Sequence, residues 1–464
     1  GLFMVHLTTA LDAASGVPLY EQLYRHISTA VQSGHIPPGA KLPSKRQLCA
    51  TLGVSMSTVE TAYALLSAEG YVISKPRSGY VAARIAPLAP PAPAERPVPA
   101  AEPAAAPKWD YSFSTGAVDT SVVPFSSWAR ITKEAVYENP ELLQRGHPQG
   151  DLPLRTALAE FLAQYRGVRC TPDQIIVGAG GDYLMSTVLQ LLPEYREVAL
   201  EDPGYPAAYA VVRHHERRAA SVPVDGEGMD PDALERSGAR LAYVTPSHQF
   251  PLGLTMPAGR RSQLLQWAGA AEGRYLIEDD YDSEFRYSSR PIPAMQGLDR
   301  QGRVIYLGTF SRSIAPAIRV AYLILPPALL ERYRRDFPLA ASTVSRFEQE
   351  ALRRFLEQGL YIRHLRRAGN LYRRKNLLLT QALSAIPGAE LSGAQAGLHF
   401  LLTLPGREEG ELVELAAARG VRVHPLSQYC HKIPPLPSTL VLGYAGLTED
   451  ELPRAAERLI AAYT

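Results

Sequence analysis

The feature that most constrains the fold of this chain is a stretch rich in proline and alanine in its first quarter. The stretch, RIAPLAPPAPAERPVPAAEPAAAPK, runs from Arg84 to Lys108 and has no apolar periodicity. Proline fixes φ and has no backbone N–H to donate, so the stretch favours an extended, semi-rigid linker. We therefore expect a small domain at residues 14–83, a linker at 84–108 and a large domain at 109–464. An irregular surface loop within one domain is the alternative.

The composition is ordinary for globular domains and says little about partners. Hydrophobic residues make up 46% and charged residues 20%, and the net charge is +2. No apolar run approaches the roughly 18 residues that span a membrane. The three cysteines, Cys49, Cys170 and Cys430, show neither metal-ligand nor disulfide spacing. We expect a cytoplasmic protein with no membrane contact and no metal site.

The small block has the pattern of three helices followed by a hairpin. Ser44 is placed to begin the second helix and Gly53 to end it, and Ser55 or Ser57 can cap the third. The sequence YVISKPRSGYVAA then predicts two short strands about a turn. Two tightly joined helices before a hairpin are typical of a winged helix-turn-helix. The expected inward-facing apolar positions are Leu19, Leu23, Ile27 and Val31 in the first helix and Val59, Ala62, Tyr63 and Leu66 in the third.

Basic residues occur where such a module would meet DNA, at the second helix and the hairpin turn. Residues 1–84 carry a net charge of only +3, which is a weak footprint for a DNA-binding domain. A helical protein–protein module is therefore the alternative. The predicted DNA-contacting residues are Lys45, Arg46, Ser55, Ser57, Thr58 and Arg77.

The segment from Pro18 to Ala82 resembles the winged helix of the GntR family, most specifically in GHIPPGAKLPSKRQL. The resemblance implies binding to operator DNA. Met56 departs from the family, which usually has Arg there, and Ser57 and Thr58 replace its usual Asn or Arg-Thr. A base-reading arginine contributes on the order of 1–3 kcal/mol. We therefore expect weaker binding or a different operator.

The large block alternates strand-like apolar runs with amphipathic helical patterns. Runs such as REVALEDPGY, YLIEDDYD and RVIYLGTFS alternate with patterns such as DLPLRTALAEFLAQYRG. This predicts an α/β domain with a mainly parallel sheet. Ligands of such sheets bind beyond the carboxyl ends of the strands. The candidate positions are Gly178–Asp182, Asp202–Tyr205, Thr245–Gln249, Asp279–Asp282 and Thr309–Arg312.

Each of these clusters has an ordinary alternative when taken alone. The sequence GAGG before a helix can cradle a phosphate on backbone N–H groups, or it can form a tight turn. Asp279, Asp280 and Asp282 can form a solvated acidic loop, or one of them can pair with a protonated ring nitrogen. A metal is disfavoured because no second group of ligands has suitable spacing.

The clusters together resemble the aminotransferase-like domain of MocR-type regulators. Such regulators join a fold-type I pyridoxal-phosphate domain to a GntR winged helix. The motifs HPQGDLPLR, EDPGY, TPSHQFPLG, IEDDYDSEF, YLGTFSRS and AGLHF extend the resemblance over essentially the whole chain. It implies pyridoxal phosphate as cofactor, a domain-swapped homodimer and an unknown small-molecule effector.

The resemblance also implies roles for individual residues. Asp279 would face the ring nitrogen of the cofactor, Tyr281 its ring hydroxyl and Tyr205 its flat face. Ser311 and Arg319 would hold the phosphate. The full set of expected cofactor or effector residues is Gly180, Gly181, Tyr205, Ser247, His248, Asp279, Tyr281, Ser311, Arg312 and Arg319.

Three positions depart from the family together. Arg312 stands where the family has its Schiff-base lysine, and a guanidinium is not a usable amine nucleophile, so a covalent aldimine is not expected there. Gly181-Asp182 replaces a common Ser/Thr-Gln, and Asp182 would repel a phosphate. Gly446 replaces an arginine that holds a substrate carboxylate in relatives. Arg312 could instead pair with an anionic ligand or with Asp279.

We therefore expect a dimeric, DNA-binding transcription regulator with a catalytically inactive aminotransferase-like domain and no catalytic residues. An interaction scaffold that binds neither DNA nor ligand tightly is one alternative. An aminotransferase is the other, and Arg312 argues against it because transamination needs the lysine as nucleophile and proton carrier.

Overall fold

The structure is a computed structural model that describes residues 10–90, 92, 107–287 and 292–464. The chain divides into two units, residues 1–106 and 107–464. Most of the predicted linker at 84–108 lies outside the described residues, and residues 84–90 have no helix or strand. No described helix is both long and apolar enough to cross a bilayer.

The first unit consists of three helices and a hairpin. The helices are α1 (Leu19–Gln32), α2 (Lys45–Leu52) and α3 (Met56–Ala68), and the antiparallel strands are β1 (Val72–Lys75) and β2 (Gly79–Ala82). Of the eight predicted inward-facing positions, seven are buried and Leu19 is half-buried. The sequence therefore predicted these helix faces because each one covers the same small core.

The helix ends in this unit follow from local side-chain chemistry. Ser44 accepts a hydrogen bond from the Gln47 backbone N–H (3.2 Å), and the Gln47 side chain accepts one from the Ser44 N–H (2.9 Å). This capping box satisfies two N–H groups that a helix start leaves unpaired. Gly53 ends α2 in the left-handed conformation that glycine adopts most easily. Ser55 caps α3, which decides between the two predicted serines.

The second unit is an α/β domain. Its helices are α4 (Phe125–Glu138), α5 (Leu152–Arg166), α6 (Gly181–Leu191), α7 (Pro206–His214), α8 (Pro231–Ser237), α9 (Ala258–Gly269), α10 (Pro327–Asp336), α11 (Arg346–Glu357), α12 (Leu360–Leu383), α13 (Glu409–Ala417) and α14 (Glu451–Tyr463). Short 3₁₀ turns lie at Thr120–Val122, Pro140–Leu143, Pro172–Gln174, Met295–Leu298 and Leu426–Tyr429.

The strands of this unit form one large sheet and two small ones. In chain order they are β3 (Tyr111–Ser112), β4 (Ile175–Gly178), β5 (Glu197–Asp202), β6 (Arg218–Asp225), β7 (Gly228–Met229), β8 (Leu241–Val244), β9 (Tyr275–Asp279), β10 (Val304–Thr309), β11 (Ala321–Ile324), β12 (Glu390–Ser392), β13 (His399–Thr403), β14 (Val421–Arg422), β15 (His424–Pro425) and β16 (Thr439–Gly443). The large sheet has the order β4-β11-β10-β9-β8-β5-β6-β7, and β12-β13-β16-β15 form an antiparallel sheet. Strands β3 and β14 pair in parallel.

The direction of the strands in the large sheet determines where a ligand can bind. Strands β10, β9, β8, β5 and β6 are parallel, so the predicted mainly parallel sheet is confirmed. Strand β11 is antiparallel to both of its neighbours. The start of β11 therefore lies at the same edge as the carboxyl ends of β9 and β10. Arg319, two residues before β11, comes to this edge for that reason.

Candidate functional site

A cavity of about 210 Å³ opens at the carboxyl edge of the large sheet. It contains the carboxyl ends of β9 and β10, the first residues of α6 and the segment before β11, as expected for an α/β sheet. Its wall also includes Thr245, from one of the candidate strand-end clusters, and Thr115, which no sequence motif indicated. Seven of the ten residues predicted to bind a cofactor or effector line it: Gly181, Tyr205, Asp279, Tyr281, Ser311, Arg312 and Arg319.

Asp279 ends β9 and carries the acidic group of the cavity wall. Its carboxylate accepts a hydrogen bond from the Tyr243 hydroxyl. Burial raises the pKa of Asp279 to about 7, although the bond from Tyr243 acts in the opposite direction. A cation or a protonated ring nitrogen beside this carboxylate would favour its charged form.

Arg312 lies in the cavity with part of its guanidinium unpaired. Nη1 donates to the Thr115 carbonyl, and the guanidinium carbon lies 5.8 Å from the centre of the Tyr281 ring. Nε and Nη2 are buried and have no hydrogen-bond partner among the described residues. No ion pair joins Arg312 to Asp279 within the described chain, so the structure does not support that alternative. The Nε and Nη2 edge is a two-donor fork that suits a carboxylate or phosphate.

A second cationic group lies at the start of α6. A Cβ built on Gly180 would come within 2.5 Å of Arg319 Nη2, so this guanidinium is packed against a glycine at φ +102°. The described residues give Arg319 no hydrogen-bond or ion-pair partner. An unpaired arginine beside the N–H groups of a helix start is a favourable arrangement for an anion. Ser311 Oγ, close by in the cavity wall, donates to the Ile318 carbonyl (2.9 Å).

Asp182 brings a negative charge to the same region. It is exposed at the surface of the cavity. Partial desolvation raises the pKa of this carboxyl, and the charge of Arg319 acts to lower it. A bound phosphate would meet Arg319 and Asp182 together, so Asp182 weakens the attraction that Arg319 provides.

Aromatic rings form the remaining walls. Tyr205 is 38% exposed, and its ring meets Phe250 edge to face at 5.6 Å. Phe250 in turn meets Tyr281 edge to face at 6.0 Å. A flat ligand could therefore contact the Tyr205 ring without displacing a protein group.

Three predicted residues do not line the cavity. Gly180 lies behind Gly181, against Arg319. Ser247 and His248 are 4% and 1% exposed. Ser247 Oγ accepts from Arg166 Nη2 (2.9 Å), and His248 Nδ1 lies 3.0 Å from the Tyr281 hydroxyl. Both therefore support the residues of the cavity from behind.

A buried ion pair that the sequence did not indicate supports the turn after β9. Arg166, at the end of α5, donates through Nε and Nη2 to Asp280 (2.8 and 3.0 Å). The Tyr306 hydroxyl donates to the same carboxylate. Burial acts to raise the pKa of Asp280, but Arg166 outweighs it and holds the pKa below its usual range. Asp280 is thus fixed between Asp279 and Tyr281, the two neighbours that face the cavity.

A second buried cluster lies on the far side of Tyr281. His248, Asp282 and His399 are each at most 1% exposed, and one ligand-type atom from each lies within 4.8 Å of the others. His248 Nδ1 is 3.3 Å from Asp282 Oδ2. The sequence showed Asp282 and His248 in separate motifs and His399 in AGLHF, but spacing alone could not indicate that they meet.

Gly446, which the resemblance puts at the position of a carboxylate-binding arginine, has no room for a side chain in this structure. A Cβ at residue 446 would lie 2.6 Å from the Ala117 Cβ. Gly446 is also absent from the described cavity wall. A longer side chain would need movement of the chain at 117.

These residues fit pyridoxal phosphate in part. Asp279 suits a ring nitrogen, Tyr205 a ring face, and Arg319 with the start of α6 a phosphate. Residue 312 is arginine, and no lysine lines the cavity in the described chain, so this lining offers no lysine amine to hold the cofactor covalently. The unpaired Nε and Nη2 of Arg312 lie in the cavity.

The predicted DNA-contacting residues lie in the first unit and differ in their surroundings. Ser55 and Thr58 hydrogen-bond to each other at the start of α3 (2.9 Å), so both take part in its cap. Lys45 Nζ lies 5.9 Å from the centre of the Tyr80 ring. Arg46, Ser57 and Arg77 are exposed. Arg77 has φ +65°, a conformation unusual for residues other than glycine, in the turn closed by the Ser78 N–H and the Lys75 carbonyl (3.0 Å).

Comparisons with known proteins cover both units. Residues 19–81 match the family described as bacterial regulatory proteins, gntR family, and residues 111–459 match aminotransferase class I and II. The chain is 40% identical to the uncharacterized HTH-type transcriptional regulator YhdI of Bacillus subtilis (strain 168), over 98% of each chain. It is 33% identical to the probable rhizopine catabolism regulatory protein MocR of Rhizobium meliloti, over 98% of this chain and 95% of the relative. Among solved structures, an archaeal alanine:glyoxylate aminotransferase aligns with a TM-score of 0.69 and 25% identity, over 76% of this chain and 90% of that one.

Proposed function

Because this chain belongs to the MocR-type transcriptional regulators, which join a GntR winged helix to a class I and II aminotransferase domain, we propose that it is a cytoplasmic homodimer that binds operator DNA and senses a small anionic molecule non-covalently. The proposed parts are a DNA-binding domain at 14–83, a linker at 84–108 and a sensing domain at 109–464. The observation that carries the sensing role is the unpaired Nε and Nη2 edge of Arg312 in the cavity.

The wing residue Arg77 supports the proposal of DNA binding. A left-handed backbone costs a residue with a side chain about 1 kcal/mol or more relative to glycine. Arg77 bears this cost at an exposed hairpin tip and has no acidic partner among the described residues. A guanidinium presented in this way suits a phosphate of the DNA backbone.

The cavity supports binding of an anion rather than covalent chemistry. Arg312 and Arg319 both offer donors without partners, and Arg312 offers two on one edge. A buried unpaired donor costs roughly 1–3 kcal/mol, and an accepting ligand would recover this cost. When bound, pyridoxal phosphate supplies an electron sink to enzymes of this fold. In this chain, Asp279, Tyr205 and Arg319 would bind and orient its ring and phosphate only.

The same residues argue against transamination. The reaction needs an amine that bonds the cofactor and then moves a proton. A guanidinium at residue 312 keeps its proton and performs neither step. The relatives named above are regulators, which agrees with a sensing role for this domain.

Exposed apolar side chains support a homodimer. Phe125, Tyr137, Leu143 and Leu152 are 65%, 77%, 78% and 53% exposed, and all belong to one part of the sequence, α4 to the start of α5. Large exposed apolar residues grouped in this way usually mark a protein interface. The resemblance to domain-swapped relatives makes a second copy of this chain the proposed partner.

Sensing requires that the ligand bind two arrangements of the dimer with different affinity. A ligand shifts an equilibrium only by its differential binding free energy, and about 1.4 kcal/mol changes the population ratio tenfold. We propose that pairing of Arg312 with the ligand provides this difference.

A titration tests the sensing proposal. Purified protein is titrated with pyridoxal phosphate while the visible spectrum is recorded, and is then treated with borohydride or dialysed. We expect a free-aldehyde spectrum that dialysis removes. The Arg312→Lys variant is the matched comparison, and in it borohydride should fix the cofactor covalently. Covalent fixation to the wild-type chain would contradict the proposal, because another amine would then replace the lysine.

DNA binding is tested separately with DNA from the protein's own locus. We expect a shift by the dimer and a steep loss of affinity as salt rises. The Arg77→Gly variant should bind DNA less tightly with a shallower salt dependence, although it removes backbone strain. Failure to shift any such DNA, at low salt as well as high, would favour the interaction-scaffold alternative.

A further inference from the structure

We propose that His248, Asp282 and His399 form a binding site for one divalent transition-metal ion, of the type that Zn²⁺ fills, directly behind Tyr281. The site lies outside the cavity and does not depend on the proposed sensing function. Its three side chains come from the loop after β8, the turn after β9 and the first residue of β13. An ion here would join the large sheet to the antiparallel sheet of the same unit.

The first argument is the state of the two imidazoles. His399 Nε2 lies 3.0 Å from the Pro251 carbonyl, and a carbonyl only accepts, so Nε2 carries the proton and Nδ1 is a free lone pair. His248 Nε2 lies 3.5 Å from the Gly393 carbonyl, so the same reasoning puts the proton on Nε2 and leaves Nδ1 with a lone pair. Metal-binding histidines typically donate their second nitrogen to a carbonyl or carboxylate in this way.

The second argument is the set of buried atoms without partners. His399 Nδ1 and both oxygens of Asp282 are buried and have no hydrogen-bond partner in the described chain. The 3.3 Å approach of His248 Nδ1 to Asp282 Oδ2 could serve as an ion pair without a metal. Asp282 Oδ1 and His399 Nδ1 would then still have no hydrogen-bond partner in the described chain. Each such group costs on the order of 1–3 kcal/mol. One cation among the three side chains would satisfy all of them.

The third argument is distance. Ligand atoms at about 2.0–2.2 Å from a tetrahedral zinc ion lie roughly 3.3–3.6 Å from one another. His248 Nδ1 and Asp282 Oδ2 are 3.3 Å apart, and the three atoms lie within 4.8 Å of one another. A movement of about 1 Å would therefore complete the set. Two imidazoles and one carboxylate suit zinc and similar transition ions better than calcium or magnesium.

The chain around the cluster also favours a site enclosed by protein, in which a bound ion would fix the position of Tyr281. A Cβ on Gly397 would lie 2.4 to 2.7 Å from His248 and Asp282, so the chain passes close to the cluster on that side. The Tyr281 hydroxyl, 3.0 Å from His248 Nδ1, lies on the cavity side. An ion would draw on this hydroxyl as fourth ligand or through water, and would thereby fix the position of Tyr281 in the cavity wall.

The test is metal binding by the whole chain without an affinity tag. Chelator-treated protein is titrated with Zn²⁺ by calorimetry and with Co²⁺ by visible absorption. We expect one equivalent of each metal to bind, with the intense Co²⁺ bands of a four-coordinate site. Asp282→Asn and His399→Gln should each weaken binding at least ~100-fold, more than changes outside the ligand set usually do.

His364 provides the matched control. It is 3% exposed, its Nε2 lies 2.6 Å from the Ser313 carbonyl and its Nδ1 has no partner in the described chain, but it belongs to no such cluster. His364→Gln should keep full metal affinity. If the cluster variants fail to fold, the wild-type stoichiometry and Co²⁺ spectrum still decide. Absence of a stoichiometric site in the wild type, or binding equal in folded His399→Gln and His364→Gln, would overturn the proposal.

Discussion

Replacing Arg166 by methionine would leave the Asp280 carboxylate buried without its cation. The Arg166 and Asp280 side chains are 6% and 0% exposed, and two hydrogen bonds of 2.8 and 3.0 Å join them. Removing one partner of such a pair costs about 3–5 kcal/mol, because the other charge stays desolvated. With about 2.1 cal/mol/K of unfolding entropy per residue for residues 107–464, the melting temperature should fall by ~4–7 °C.

Tryptophan fluorescence during urea unfolding measures this loss in the second unit alone, since Trp109, Trp128 and Trp267 all belong to it. Arg374→Met is the control. Arg374 and Glu449 are 58% and 44% exposed, and such a pair contributes at most about 1 kcal/mol.

The pH dependence separates a buried charge from simple loss of packing. In the wild type, Arg166 holds the pKa of Asp280 below its unfolded value, so its contribution is present above pH ~4 and is lost only as pH falls further. In Arg166→Met, burial alone would raise that pKa. The deficit should then be largest at pH 7 and shrink toward pH 5 as Asp280 takes up a proton. A loss below about 1 kcal/mol at pH 7, or a deficit independent of pH, would refute the reasoning.

Three further predictions concern single side chains. Ser44→Ala removes the α2 cap and should cost about 1 kcal/mol, seen as roughly fivefold faster amide hydrogen exchange in α2. Gly180→Ala should displace Arg319 and lower phosphate affinity at least ~10-fold by calorimetry, whereas Gly181→Ala, whose Cβ meets nothing within 4 Å, should not. Asp182 has a raised pKa, so phosphate affinity should rise as pH falls and Asp182 is neutralised; Asp182→Asn should bind phosphate more tightly and lose this pH dependence.

The sequence predicted those parts of the fold that local patterns specify. The core faces of α1 and α3, the Ser44 cap and the apolar strands β4, β5 and β8 to β11 each have a strong period or a specific residue type. Strand β6, Arg218–Asp225, was missed because it carries few large apolar residues and reads RAASVPVD. The antiparallel sheet was also missed, since its strands are two to five residues long and depend on pairing between distant segments.

The site was predictable where it follows strand ends and unpredictable where it depends on packing. Asp279 ends a strand with a clear apolar pattern, and Tyr281 and Arg312 follow such strands. The sheet topology alone therefore brings all three to the carboxyl edge of the large sheet. Thr115 precedes its cavity partner Arg312 by almost two hundred residues, and nothing local marks it. His248 was expected in the cavity, but the loop after β8 places it behind Tyr281.

The role proposed for Arg312 is best understood together with Asp182. Arg312 and Arg319 give the cavity two fixed guanidinium charges against Asp279, whose raised pKa of about 7 leaves it only partly ionised at neutral pH. Asp182 adds a carboxylate beside Arg319 and so reduces the positive potential at the phosphate end. The attraction for an anion is then concentrated at Arg312, where Nε and Nη2 are unpaired. This arrangement favours a ligand anchored by a carboxylate or phosphate at Arg312 over one anchored by a phosphate at Arg319. We therefore propose that Arg312 and Asp182 act in the same direction, away from covalent cofactor chemistry and toward recognition of an anion.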